Sequence, residues 1–173
     1  MISPLLAQDS VGLIHFDLRL PHTSAKKLVH NHHWTHLNHD DIKQPACTPP
    51  RTRMRIYTHI TGSEWSADVR PRSRDYVTVE DVLMGIFETL SVPVDAVRWA
   101  RDGINPTLKD RVYRAYNRRI ERVRSVRADE YSRAKKKGFL RVDYLGSKYL
   151  FGGLTLCYGG DESEWFQMQV VAG

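Results

Sequence analysis

Histidines are concentrated in one short segment, and their spacing is compatible with metal binding. Five of the eight histidines lie between positions 30 and 39. Neutral imidazoles three or four residues apart can share a helix face and bind zinc, copper or nickel. The candidate ligands with that spacing are His32, His36 and His39. We favour the alternative that they are solvent-exposed loop residues, because neither a cysteine nor an HExxH pattern accompanies them. No cofactor is therefore predicted, although zinc or another divalent transition metal would suit these three side chains.

Arginines recur at helical spacing between residues 106 and 137. Residues 101–138 contain 13 basic and five acidic residues and are the source of the net charge of +6. Guanidinium groups make two-point hydrogen bonds with phosphate oxygens, so this row predicts a surface for nucleic acid or another polyanion. The candidate residues are Arg111, Arg114, Arg118, Arg119 and Arg122. The alternative is a solvated helix face that nearby carboxylates partly balance.

Opposite charges alternate in two predicted strands. Asp17 and Arg19 lie in the first strand, and Arg141 and Asp143 lie in a later one, so they could pair across neighbouring strands. A carboxylate in such a network acts as an acid or base when a cleft raises its pKa, but structural ion pairs give the same pattern and are favoured. The sequence lacks a nucleophile elbow, a P-loop and a dinucleotide-binding glycine motif. It therefore favours a protein without catalytic activity.

The elements that position these residues follow the order strands, helices, strands. Period-two alternation predicts strands over 14–19, 53–60, 65–69, 140–144, 148–151 and 164–171. Apolar stripes and capping patterns predict helices over 79–90, after Pro93 as far as Gly103, from 105–106 through 123, and over 128–137 with a stop at Gly138. Residues 22–50 show no sustained periodicity and are expected to form a long irregular, histidine-rich connection.

This order predicts an α+β fold: an antiparallel sheet of about five to six strands with two to four helices packed on one side. A chain of 173 residues with 41% apolar residues is expected to form a single α+β domain over 1–173. The absence of a long apolar run argues against a membrane partner, and the first residues lack the basic start of a secretory signal. We therefore expect a cytoplasmic or nuclear location, with Cys47 and Cys157 as free thiols.

Five short phrases occur in order along most of the chain: residues 16–19 with Pro21, 44–46 with 48–50, 54–56, 77–83, and 141–146 with 151–154. Together they resemble a domain family that is widespread in mushroom-forming fungi and catalogued as a domain of unknown function. The resemblance implies the domain boundaries and the architecture, and it supplies no catalytic residues. The histidine-rich insert between Val29 and Asp41 is atypical of that family.

The sequence favours an intracellular binding or interaction domain, whose edge strands could pair with a protein partner or a second copy. The first alternative is binding of nucleic acid or another polyanion through the arginine-rich helix 106–137. The second is a small enzyme that uses a metal in the histidine-rich segment or acid/base chemistry at Asp17 and Asp143.

Overall fold

Strands near both ends of the chain and helices between them give an α+β fold, as predicted. The computed structural model describes residues 1–8, 13–29, 33–60, 62–102, 105–126, 128–159 and 164–173, with the backbone alone for 62–64. Within these ranges the strands divide into a three-stranded and a four-stranded sheet. The sequence predicted one sheet, so this part of the architecture needs correction.

The small sheet lies in the first quarter of the chain. Its strands are β1 (Ile14–His15), β2 (Lys26–Val29) and β3 (His33–His36), which pair antiparallel in the order β1-β2-β3. Helix α1 (His39–Lys43) follows. The prediction of an irregular connection over 22–50 is therefore wrong for much of that segment. These strands escaped detection because β3 is exposed along its whole length, so no apolar alternation marks it.

The large sheet contains β4 (Met54–Thr58), β5 (Gly62–Val69), β6 (Leu150–Tyr158) and β7 (Glu164–Val171) in the order β5-β4-β7-β6. The hairpin of β4 and β5 and the last strand agree with the sequence prediction. However, β4 and β7 are parallel, with Ile56 opposite Phe166. The expectation of a purely antiparallel sheet is therefore wrong at its centre.

Four further helices lie between β5 and β6 in the described residues. They are α2 (Val79–Leu90), α3 (Ala96–Asp102), α4 (Pro106–Val126) and α5 (Tyr131–Lys137). Helix α2 has the predicted bounds, because the side chains of Thr78 and Asp81 cap its first turn reciprocally. Helix α5 ends at Gly138, whose φ of 69° suits glycine. Gly103, the predicted stop of α3, lies outside the described residues.

One apolar core joins the large sheet to α2. Ile56, Phe166 and Met168 on the inner sheet face belong to the same buried cluster as Val82 and Ile86 of α2. A second cluster contains Trp65 of β5, Val112 of α4 and Tyr144. Val112 therefore packs α4 against Trp65 of the edge strand β5 and against Tyr144.

The segment predicted as a strand over 140–144 is instead a 3₁₀ helix, Arg141–Leu145. Its residues from Val142 to Leu145 are all buried, so both faces of the segment meet the core. The carboxylate of Asp143 turns back and accepts a hydrogen bond from the backbone N–H of Leu140 at 2.9 Å. This capping favours a helical turn over an extended chain. The strand predicted over 148–151 begins at Leu150 and continues to Tyr158 as β6.

Strand β1 is also shorter than the predicted 14–19. Only Ile14 and His15 pair with β2, and Asp17 makes an isolated bridge with Leu150 instead. The backbone beyond Phe16 therefore leaves the small sheet and runs beside the start of β6. This change of partner brings Asp17 and Arg19 to the helices.

Candidate functional site

Helix α4 carries a buried arginine on the face that packs against the 3₁₀ helix. Val112, Ala115, Arg119 and Ile120 are its buried residues. The Nε and Nη2 atoms of Arg119 donate to the two carboxylate oxygens of Asp143 at 2.9 and 2.8 Å. Nη2 also donates to the carbonyl of Gly138 at 2.9 Å. The charge of Arg119 is therefore fully engaged inside the protein.

Asp17 binds two arginines from different parts of the chain. Nε and Nη2 of Arg19 donate to its two carboxylate oxygens at 2.9 and 2.7 Å, and Nη1 of Arg122 donates to Oδ2 at 2.7 Å. Burial raises the pKa of Asp17, but the hydrogen bonds from Arg19 and Arg122 outweigh it and hold the pKa below its ordinary value. The guanidinium of Arg19 also lies 3.4 Å from the centre of the Tyr149 ring. Asp17 is thus a permanently ionised carboxylate at neutral pH.

The two ion-pair clusters lie along one groove of about 540 Å³, which we call the basic groove. The segment after β1, the end of α2, the second half of α4, α5 and Leu140 form its walls. Its lining consists of Arg19, Leu20, Pro21, Phe87, Ser91, Arg119, Arg122, Val123, Val126, Glu130, Arg133, Ala134, Lys137 and Leu140. Its volume is in the range of small-molecule and peptide side-chain sites.

The lining of the basic groove combines apolar and cationic side chains. Leu20, Phe87, Val123 and Leu140 are among its apolar residues, and all of them are partly or fully buried. Arg133 and Lys137, one turn apart on α5, are exposed at its rim. The side chain of Arg122 is 44% exposed although it contacts Asp17. The groove can therefore attract an anion and at the same time cover apolar surface of a ligand.

The structure divides the five arginines of the predicted polyanion surface. Arg119 and Arg122 line the basic groove, whereas Arg111, Arg114 and Arg118 are exposed on α4 outside its lining. Arg114 lies 3.9 Å from Asp110 in an exposed ion pair, which contributes little to the stability of the fold. The stem of Arg111 packs closely against Gly146.

The four members of the predicted charged network do not pair as neighbouring strands would. Asp17 and Arg19 contact each other, Asp143 contacts Arg119, and Arg141 belongs to neither cluster. The guanidinium of Arg141 lies 5.4 Å from the centre of the Trp65 ring. Burial and the charge of Arg98 lower the pKa of Arg141.

Two of the three predicted metal ligands lie in the described residues. His36 is exposed on β3, and His39 is exposed at the start of α1, 3.8 Å from Asp40. His32 lies outside the described residues. Within the described ranges, no group of three or more histidine, cysteine, aspartate or glutamate side chains could hold a metal ion.

Sequence reasoning missed the contribution of α5 and α2 to the basic groove. Arg133 and Lys137 are four residues apart in a predicted helix, so their shared face was a usable signal. Phe87 lies in the apolar stripe that predicts α2, and that pattern does not distinguish it from the core residues of the helix. Nothing in the local sequence indicates that the segment after β1 would reach α4.

A family model matches residues 14–164, which is most of the chain. The chain belongs to a family of unknown function (DUF6699). The DUF6699 match contains every residue that lines the basic groove and ends at the first residue of β7. No curated protein and no solved structure matches the chain, so no relative indicates a catalytic or binding function for this DUF6699 protein. Among its described helices, none is both long and apolar enough to cross a bilayer.

Proposed function

We propose that the chain is a protein-interaction domain and that the basic groove is its binding surface. Its ligand is a partner segment that carries both acidic and apolar side chains. The observation that supports this proposal is the combination of exposed cations and apolar residues around one groove of about 540 Å³. A site of this kind binds amphipathic segments by covering their apolar face and pairing with their charges.

Electrostatics favours an acidic partner. Arg122, Arg133 and Lys137 place positive charge at the exposed part of the groove, and Glu130 is the one acidic residue in its described lining. Charges of this kind raise association rates and reject partners of the same sign. The apolar lining supplies the surface that stabilises the complex once it has formed.

The charge and the apolar lining of the groove also favour a peptide over a nucleic acid as its ligand. Two of the groove's arginines, Arg19 and Arg119, already have two-point carboxylate partners, which reduces the charge available to a phosphate backbone. The apolar lining has no counterpart in a sugar-phosphate chain. A peptide uses both parts of the groove, so we favour it.

The test is binding to an array of peptides with degenerate positions restricted to Glu, Asp, Leu and Phe, followed by affinity measurement on the best sequences. The double variant Arg133→Glu, Lys137→Glu should weaken binding by about tenfold or more, because it reverses two rim charges. Lys136→Glu is the matched control, since Lys136 is exposed on the same helix but does not line the groove. Equal effects of these variants, or no binding peptide at all, would overturn the proposal.

Polyanion binding is the second candidate function, and a different part of α4 supports it. Arg111, Arg114 and Arg118, three of the five arginines of the predicted row, are exposed outside the groove lining. Labelled RNA and DNA at low and high salt provide the test, because phosphate contacts make affinity fall steeply with salt. Replacement of these three arginines by Gln should then abolish binding, and an unchanged affinity would argue against this candidate.

Three further expectations complete the proposal. Pairing of a partner or a second copy with the exposed edge strand β3 would extend the interaction surface. A metal-dependent or acid/base activity stays a prediction. Elemental analysis of untagged protein would test whether a metal is bound. We also propose a cytoplasmic or nuclear location and an origin in mushroom-forming fungi, on the sequence arguments above.

A further inference from the structure

We infer that the basic groove recognises a phosphate group on a serine or threonine of the partner segment. This inference rests on the proposed function and specifies its ligand. The number of charges around the groove, the contacts that hold its arginines and the apolar surface beside them all favour this ligand.

The charges around the groove leave an excess that suits a dianion. Among the described residues, five cationic side chains line it: Arg19, Arg119, Arg122, Arg133 and Lys137. Three described carboxylates accompany them, because Glu130 lines the groove while Asp17 and Asp143 hold its arginines. These described residues therefore leave two positive charges. A phosphorylated side chain carries a charge of about −1.5 to −2 at neutral pH, whereas a glutamate carries only one negative charge.

The carboxylates also fix the donors in advance. Arg19 is held by two contacts with Asp17 and by the Tyr149 ring, which leaves its guanidinium plane a single orientation. Arg122 uses only Nη1 in its contact with Asp17. Its Nε and Nη2 make no hydrogen bond to the described residues. A two-point contact from that free edge to phosphate oxygens is the geometry that arginine favours.

The α5 side of the groove adds exposed cations to these fixed donors. Arg133 and Lys137 are exposed and share one helix face at the rim. A phosphate has three strong acceptor oxygens, so it can accept from Arg122 and from a rim cation together. A carboxylate has two oxygens and a smaller charge, and it would leave part of this donor set unused.

The apolar lining restricts which phosphates bind well. Leu20, Phe87 and Val123 lie in the same groove as the cations, so an isolated phosphate ion would leave their surface in contact with water. A phosphorylated residue beside an apolar one satisfies both parts of the site. The ligand class is therefore a phosphopeptide with a neighbouring apolar side chain.

The experiment compares three oriented peptide libraries that differ only at the central position, which is phosphoserine, glutamate or serine, with degenerate flanks. Phosphoserine peptides should bind about tenfold more tightly than their glutamate counterparts, and serine peptides should bind weakest. The variants Arg122→Gln and Lys137→Gln should each remove most of the preference for phosphoserine over glutamate. Lys136→Gln is the matched control and should retain that preference. Thermal melting of each variant checks that the fold is unchanged.

The affinities for phosphoserine peptides, glutamate peptides and inorganic phosphate distinguish a phosphopeptide site from a groove for acidic peptides. Equal affinity for phosphoserine and glutamate peptides would overturn this inference and leave the acidic-peptide groove intact. Equal affinity for inorganic phosphate and the phosphopeptides would also overturn it, because the apolar surface would then have no part in binding. Binding to vesicles that contain anionic phospholipid, without binding to any peptide, would overturn both the inference and the proposed function.

Discussion

The guanidinium of Arg119 and the carboxylate of Asp143 meet in a two-point ion pair whose side chains are 8% and 1% exposed. Arg119 belongs to α4 and Asp143 to the 3₁₀ helix, so the pair joins two elements that are separated in sequence by α5. The same carboxylate accepts the N–H of Leu140, and the same guanidinium donates to the carbonyl of Gly138. This one pair therefore fixes one wall of the basic groove.

Replacement of Arg119 by Met should destabilise the fold by about 3–5 kcal/mol, because it leaves the buried carboxylate of Asp143 without its cation. Urea unfolding followed by circular dichroism measures the change in the free energy of unfolding. Arg118→Met is the control: this neighbour is exposed, and its loss should change stability by no more than about 0.5 kcal/mol. Similar values for the two variants would show that the buried pair has no special role.

The double variant Arg119→Met, Asp143→Leu should be more stable than the sum of the two single losses predicts, because it removes both buried charges together. The single variant Asp143→Leu should cost more than Arg119→Met, since it also removes the acceptor of the Leu140 N–H. The same unfolding measurements supply this cycle. Strict additivity would mean that the two side chains do not interact.

Asp17 should make the stability of the fold depend on pH in the acid range. The pKa of Asp17 is lowered in the folded protein. Its contribution to the free energy of unfolding is therefore fully present above the ordinary aspartate pKa of about 3.9, and it is lost as the pH falls through the lower pKa of the folded state. The difference in unfolding free energy between the native sequence and Asp17→Asn should therefore be constant near neutral pH and shrink in acid. A difference that grows as the pH falls would contradict this assignment.

Tyr144 should couple stability to pH in the alkaline range. Its hydroxyl donates to Oδ2 of Asp102 at 2.9 Å, and burial together with that carboxylate raises the pKa of Tyr144 above its ordinary value. Tyr144→Phe should cost about 1.5 kcal/mol at neutral pH, because the hydrogen bond has a charged acceptor. A raised pKa means that this contribution is present below the ordinary tyrosine pKa of about 10 and is lost as the pH rises through the folded value.

Chemical unfolding of both proteins at neutral pH and in strong alkali measures this contribution. The stability gap between the native sequence and Tyr144→Phe should narrow in alkali. Tyr113→Phe is the control, since Tyr113 is exposed and its loss should leave the curve unchanged. A gap that widens with pH would rule out the proposed hydrogen bond.

Thr78→Ala should destabilise the protein by about 1 kcal/mol or slightly more, because it removes the N-cap of α2. Thr78 is fully buried, and its hydroxyl accepts the N–H of Asp81 at 3.2 Å while donating to the carboxylate of Asp81 at 2.8 Å. The replacement of Asn38, the cap of the much shorter α1, by Ala should have a smaller effect on global unfolding. The reverse ranking in thermal melts would contradict the role assigned to α2.

The sequence was sufficient where local signals agree with the fold. Thr78 and Asp81 mark the start of α2, the apolar stripe fixes its length, and Gly138 ends α5. The hairpin of β4 and β5 likewise follows from alternation on either side of a short turn. These elements depend on contacts between residues that are close in sequence, so local sequence patterns predict them.

The 3₁₀ helix and the basic groove depend on contacts between residues that are distant in sequence. Alternation over 140–144 resembles a strand, but Asp143 binds Arg119, which is 24 positions away and gives no local signal. The sequence predicts that Arg119 lies on an exposed surface, because the neighbouring residues give no sign of a buried partner for its charge. The basic groove was missed for the same reason, since Asp17 reaches Arg122 across 105 positions.

The position of β7 also bears on how the protein is made. Because β7 lies between β4 and β6, the large sheet has a vacant centre until residues 164–171 have left the ribosome. Until then the inner edge of β4 has no partner and the apolar side of α2 lacks Phe166 and Met168. The core around α2 therefore cannot be completed before β7 is synthesised, and until then the open edge of β4 could pair with another chain.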